Sequence, residues 1–111
     1  MTGHRRRQWR DIEPWLKRFR ERLEEEIDPS AQVVLFGSYA RGEAVEGSDV
    51  DLLVILPKLD KSTLDLLLDV AWEVGFAAGL VFSVVPVARE EMGRLAASPF
   101  FQSVQAEGVR V

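Results

Sequence analysis

Asp49 and Asp51 are separated by one residue in the stretch Gly47-Ser48-Asp49-Val50-Asp51-Leu52-Leu53-Val54. Strand side chains alternate between faces with a rise of about 3.3 Å per residue, so both carboxylates point the same way, about 6 to 7 Å apart. Two carboxylates on one face of an otherwise apolar strand repel each other and are costly to desolvate. They imply either solvent at the strand end or a bound divalent ion. The chain has no cysteine and one histidine, His4 in the N-terminal tail, which argues against Ser-His-Asp catalysis and leaves hard oxygen ligands. Such ligands favour Mg2+ or Mn2+. The alternative reading of Asp-x-Asp is a turn residue with a cap, which Gly47-Ser48-Asp49 could also supply.

Upstream lies Phe36-Gly37-Ser38-Tyr39-Ala40-Arg41-Gly42. Where a strand ends in a tight turn and a helix begins, unpaired backbone N–H groups and the positive end of the helix dipole converge on one spot. Glycine lets the backbone approach an anion closely, and the Ser38 hydroxyl can cap the helix or donate to a phosphate oxygen. Alone, Gly-Ser is also an ordinary helix entry. Arg41 has two readings, a phosphate contact or an ion pair with Glu43 or Glu46 that holds the loop.

These residues need elements to position them. Trp9, Ile12, Leu16, Phe19, Leu23 and Ile27 recur at steps of three and four, which predicts an amphipathic helix starting near Asp11 with Pro14 in its first turn and ending at Asp28-Pro29. Ala31 to Phe36 reads as a strand feeding the Gly37 turn, Ser38 to Arg41 as a short helix, and Gly42 to Ser48 as a polar loop. Asp49 to Leu56 reads as a central strand ended by Pro57. Ser62 with Asp65 resembles a capping arrangement for a helix closed by Gly79. That helix has an inner stripe of Leu64, Leu67, Leu68, Ala71, Val74, Gly75 and Ala78, widened by Leu66, Val70, Trp72 and Phe76. Leu80 to Val87 follows as a third strand, then helices over Arg89 to Ala97 and Pro99 to Glu107, and an extended tail after Gly108. Trp9, Trp15 and Trp72 read as core or core-edge residues, and the Phe100-Phe101 pair as core. The expectation is an α/β (α+β) domain with a small mixed sheet of about three strands flanked by helices.

The 111 residues, 47% hydrophobic and 29% charged, match one compact domain spanning 1–111. Its parts are a basic tail and helix over about 1–28, a motif core over about 31–57 and C-terminal helices over about 89–107. Residues 1–22 carry eight Lys or Arg against three acids, and the rest carries six against fifteen. Such a basic run reads first as a solvated helix face, and without interleaved aromatic and basic residues nucleic acid is not indicated. The start has no apolar run of signal-peptide type, and the longest aliphatic stretch, Leu52 to Leu56, is far too short to span a bilayer. The expectation is a cytoplasmic protein with no membrane association.

Phe36, Gly37-Ser38, Arg41 three residues on, and the Gly47 to Val54 string together resemble the DNA polymerase β-like nucleotidyltransferase superfamily. Within it, the short length and the two strings look like the minimal nucleotidyltransferases of bacteria and archaea. The resemblance implies the polymerase β-like fold, a triphosphate of ATP or another NTP held at Gly37 and Ser38 with help from Arg41, and catalytic metal ions on Asp49 and Asp51. The implied reaction is transfer of a nucleoside monophosphate, most simply AMP, to a hydroxyl of a partner protein or other acceptor. The resemblance further implies a small helical partner of HEPN type, with a homo-oligomer as the alternative, and a second function as an antitoxin that acts by binding. One position departs from the superfamily pattern. A third carboxylate is expected on the next strand, and in Phe82-Ser83-Val84 that place is Ser83. A neutral hydroxyl removes a full negative charge from the cation's shell and is a poor base.

Overall fold

The computed structural model describes residues 5–111, so His4 lies outside the described residues. After a 3-10 turn at Trp9–Ile12 comes α1 (Glu13–Glu26), with Pro14 in its first turn, where a missing N–H is harmless. β1 (Gln32–Phe36) runs directly into α2 (Gly37–Arg41), and β2 (Val50–Leu56) follows the loop. α3 (Lys61–Ala78) connects β2 to β3 (Phe82–Ala88). A 3-10 turn at Arg89–Glu91, the single helical turn α4 (Met92–Leu95), α5 (Pro99–Glu107) and β4 (Val109–Arg110) complete the chain. No helix among the described residues is long and apolar enough to cross a membrane.

The sheet order is β3-β2-β1-β4, with β2 antiparallel to β1 and parallel to β3. The expected three strands are therefore four. The tail after Gly108 pairs with β1, Val109 opposite Leu35 and Arg110 opposite Val34. A two-residue strand leaves no readable alternation, so its partner comes from tertiary placement. β2 is central as expected, and buried along nearly its whole length because it has strands on both edges and side chains packed on both faces.

Val50, Leu52, Val54 and Leu56 of β2 face the main core with Leu16, Phe19 and Leu23 of α1 and Leu67, Val70, Ala71 and Val74 of α3. Phe19 meets Phe82 edge-on at 5.4 Å. Leu53 and Ile55 face a smaller cluster with Val87 and with Phe101 and Val104 of α5. By alternation Asp51 belongs to this second face, so its carboxylate and α5 share one side of the sheet, while Asp49, expected within the strand, lies just before it.

Three local expectations are corrected. Asp60, not Ser62, caps α3, accepting the Thr63 N–H at 2.8 Å. Trp72 and Phe76 do not widen the buried stripe: they are 67% and 74% exposed, stacked on each other at 5.1 Å, and Leu68 is exposed beside them. α3 buries the Leu67-Val70-Ala71-Val74-Gly75 face, and its outer apolar residues Leu68, Trp72 and Phe76 stay exposed among the described residues. The helix expected over Arg89 to Ala97 is a 3-10 turn and one α turn. Trp9 and Trp15 do pack at the core edge, and Phe101 is buried while Phe100 stands half-exposed against Phe36.

Candidate functional site

The chain reverses at Gly37, whose φ of +75° is costly for any residue with a Cβ. A side chain would also crowd the site: a Cβ at Gly37 would sit 2.2 Å from Asp51 Oδ2, so that carboxylate would have to move. The turn that opens α2 and the carboxylate on the neighbouring strand are thus in direct contact, a consequence of the β1–β2 register that sets Phe36 opposite Asp51. No side chain caps α2, because its N-cap is Phe36, and the Ser38 hydroxyl makes no capping bond. Ser38 instead fastens the end of its helix, its carbonyl accepting the Glu43 N–H at 2.9 Å.

Asp49 precedes β2 and is exposed, whereas Asp51 lies in the strand and is half-buried. The approach to Asp49 is held in two ways. Arg7 and Ala44 exchange backbone hydrogen bonds of 2.6 and 3.1 Å, and the Ser48 hydroxyl accepts the Val45 N–H at 2.9 Å. Burial pushes the Asp51 carboxyl above its ordinary range, the neighbouring Asp49 charge adds to the rise, Glu107 adds further, and Arg41 opposes it. A divalent cation would relieve that strain.

Ser83 lies directly opposite Asp51 in the parallel β2–β3 register and is exposed on the same sheet face. The described residues contain no group of three or more His, Cys, Asp or Glu placed to hold a metal. Two hard carboxylates still suit Mg2+, which characteristically takes one or two protein carboxylates and completes its octahedron with water and substrate phosphates.

Arg41 takes the expected ion pair with Glu43 and adds one that was not expected, with Glu107. Its Nε donates to Glu43 at 2.6 Å, and its Nη1 donates to the two oxygens of Glu107 at 3.2 and 3.3 Å. The Gly37 N–H also donates to Glu107 Oε1, at 3.1 Å. Glu107, the last residue of α5, escaped the sequence reading because a glutamate at a helix end looks like any solvated one. Nothing local ties it to a turn 70 positions earlier.

Comparison with known proteins bears on this arrangement. The nucleotidyltransferase domain profile matches residues 16–104. A protein of Methanocaldococcus jannaschii bearing the provisional name protein adenylyltransferase is 40% identical over 75 residues, 65% of this chain and 51% of that protein. The chain thus spans about half of that relative's length. A second protein from the same organism, named in the same way, is 29% identical over 77 residues, 69% of this chain and 73% of its own. A chain in a crystal structure of the toxin–antitoxin pair MntA–HpeT is similar at 26% identity and a TM-score of 0.50, covering 89% of this chain and 70% of that one. In a second variant of the same pair, 24% identity and a TM-score of 0.50 speak for the fold alone. With the profile match reaching from α1 into α5 and enclosing both the Gly37 turn and the aspartate pair, the chain belongs to the nucleotidyltransferase domain family.

Proposed function

We propose that this chain is a Mg2+- or Mn2+-dependent nucleotidyltransferase that moves AMP from ATP onto a hydroxyl of a protein acceptor. The observation that carries the reading is the contact of Gly37 with Asp51, where the turn that opens α2 lies against a half-buried carboxylate with Asp49 two residues away. Gly37 and Ser38 hold the triphosphate, Arg41 neutralises it, and Asp49 and Asp51 hold the metal. The metal, when bound, draws charge from the phosphate oxygens and aligns the attacking and leaving groups. The acceptor O–P bond forms as the α–β phosphoanhydride bond breaks, pyrophosphate leaves, and the hydroxyl proton passes to water. The protein contributes position and charge. The names of the archaeal relatives support AMP as the group and protein as the acceptor. The reading places the reaction in the cytoplasm, where ATP and Mg2+ are supplied.

A second reading has its own observation. Ser83, neutral and opposite Asp51, thins the metal shell, and the MntA–HpeT structures belong to a toxin–antitoxin pair. In this reading the chain acts as an antitoxin, docking on a small helical HEPN-type protein with slow or no turnover.

Incubation with α-labelled ATP, Mg2+ or Mn2+, and a candidate HEPN-type acceptor protein decides between them. Transfer of label with release of pyrophosphate, lost in Asp51→Asn, supports the enzyme. Stable complex formation without label under either metal supports the binding protein.

A further inference from the structure

Glu107 spans two donors that the proposed reaction assigns to phosphate. Its carboxylate takes the Gly37 N–H at 3.1 Å and Arg41 Nη1 at 3.2 and 3.3 Å, on the sheet face that carries Asp51. A carboxylate and a pair of phosphate oxygens are the same kind of guest for such donors, both anionic and both accepting short charge-assisted bonds. As placed, the single Gly37 N–H and both Arg41 Nη1 contacts go to Glu107, so a phosphate reaching the same donors must displace it.

Glu107 is also held where it is. It ends α5, which is fastened to the second core through Phe101 and Val104, and the next residues enter the sheet as β4. A Cβ at Gly108 would lie 2.4 Å from the Val104 carbonyl and 2.7 Å from Val34, so the backbone at this junction has little room to shift. The Glu107 side chain is 27% exposed and can turn toward water without moving the helix.

We propose that Glu107 is a further residue of the nucleotide site, a positioning residue that holds the Gly37 amide and Arg41 in place of a phosphate and is exchanged for the triphosphate when ATP binds. The proposal rests on the nucleotidyltransferase reading above. In the empty site it keeps a turn amide and a guanidinium paired and aimed. On binding it competes, so nucleotide affinity is set below what the donors alone would give.

The test measures binding of Mg-ATP, tripolyphosphate and adenosine to the full chain, to Glu107→Gln and to Glu107→Ala by calorimetry, with thermal unfolding as a check on the fold. Removing a charged competitor from part-exposed donors is expected to tighten ATP and tripolyphosphate on the order of 3- to 10-fold and to leave adenosine unchanged. A purely structural Glu107 would not separate phosphate from nucleoside. Folded variants whose triphosphate affinity is unchanged or weaker overturn the exchange, as does an equal gain for adenosine. In the wild-type chain, titration with tripolyphosphate should shift the Gly37 amide and the Glu107 carboxyl resonances with one midpoint. A Gly37 response without a Glu107 response overturns the proposal even if the variants do not fold. Failure of both the wild type and the variants to bind ATP or tripolyphosphate removes the nucleotide reading itself, and the exchange with it.

Discussion

Gly37 joins both halves of the site, so its replacement should harm them together. Gly37→Ala is expected to cost about 1 to 2 kcal/mol for the left-handed backbone alone, and the added methyl must displace the Asp51 carboxylate. Urea unfolding measures the first effect and metal titration the second. Asp51 should show the opposite balance of stability and function. Because burial and Asp49 raise its pKa in the folded state, the native protein binds its proton more tightly than the unfolded chain does. The penalty of charging it is absent below the unfolded value of about 4 and grows as pH rises through the folded one. Asp51→Asn is therefore expected to raise the melting temperature near neutral pH in metal-free buffer, with no gain at pH 3. Ser83→Asp places a third carboxylate opposite Asp51 and should tighten Mn2+ binding; unchanged affinity in a calorimetric titration would remove Ser83 from the site. The candidate turn at Gly37-Ser38 and the Asp49/Asp51 pair can be picked out locally in the sequence, as a turn and a period of two, although only Asp51 of the pair lies in the strand. Glu107 cannot, since its meaning comes from the packing of α5 against the other end of the motif.

The boundaries of the helices and strands followed from local signals where those signals were unopposed. Pro14 marks the first turn of α1, Gly79 closes α3 and Pro99 opens α5, each as read. The errors share a cause, a local rule with two candidates or a tertiary deciding vote. Both Asp60 and Ser62 could cap α3, and Asp60 prevails because its carboxylate also receives the Ser62 hydroxyl at 3.0 Å. Those hydrogen bonds, from Thr63 first and then Ser62, hold the Asp60 carboxyl down to about 2. A depressed folded value means the cap stabilises fully above the unfolded value of about 4 and is lost as pH falls toward about 2. The urea midpoint should accordingly fall between pH 5 and pH 2 by more in the wild type than in Asp60→Ala. An equal fall would show that the cap carries none of the acid sensitivity. Trp72 and Phe76 are exposed although their spacing fits the buried stripe, because hydrophobic periodicity reports which residues could be buried, while the number of layers decides which are.

At the scale of the whole molecule, the sheet separates two tasks. The face covered by α1 and α3 holds the larger core, and the other face, covered by α5, holds a small core and the candidate site. α5 is therefore expected to link stability with binding. Phe101→Ala should cost about 3 kcal/mol as a cavity in the small core. By loosening the helix that ends at Glu107, it should also change triphosphate affinity, which a core residue of α3 such as Val70 should not. Calorimetry on Phe101→Ala and Val70→Ala, each at a temperature where it remains folded, compares them. The β2 strand, antiparallel to one neighbour and parallel to the other, brings the end of β1 and the starts of β2 and β3 to one edge of the molecule. The opposite edge, with the Pro57-Lys58-Leu59-Asp60 turn, is a full strand length away, and Lys58 there is 81% exposed. That separation gives the experimenter a handle. A single cysteine introduced at position 58 in this cysteine-free chain would accept one dye or surface linker, leaving the chemical end of the sheet unobstructed for following ligand and partner in real time.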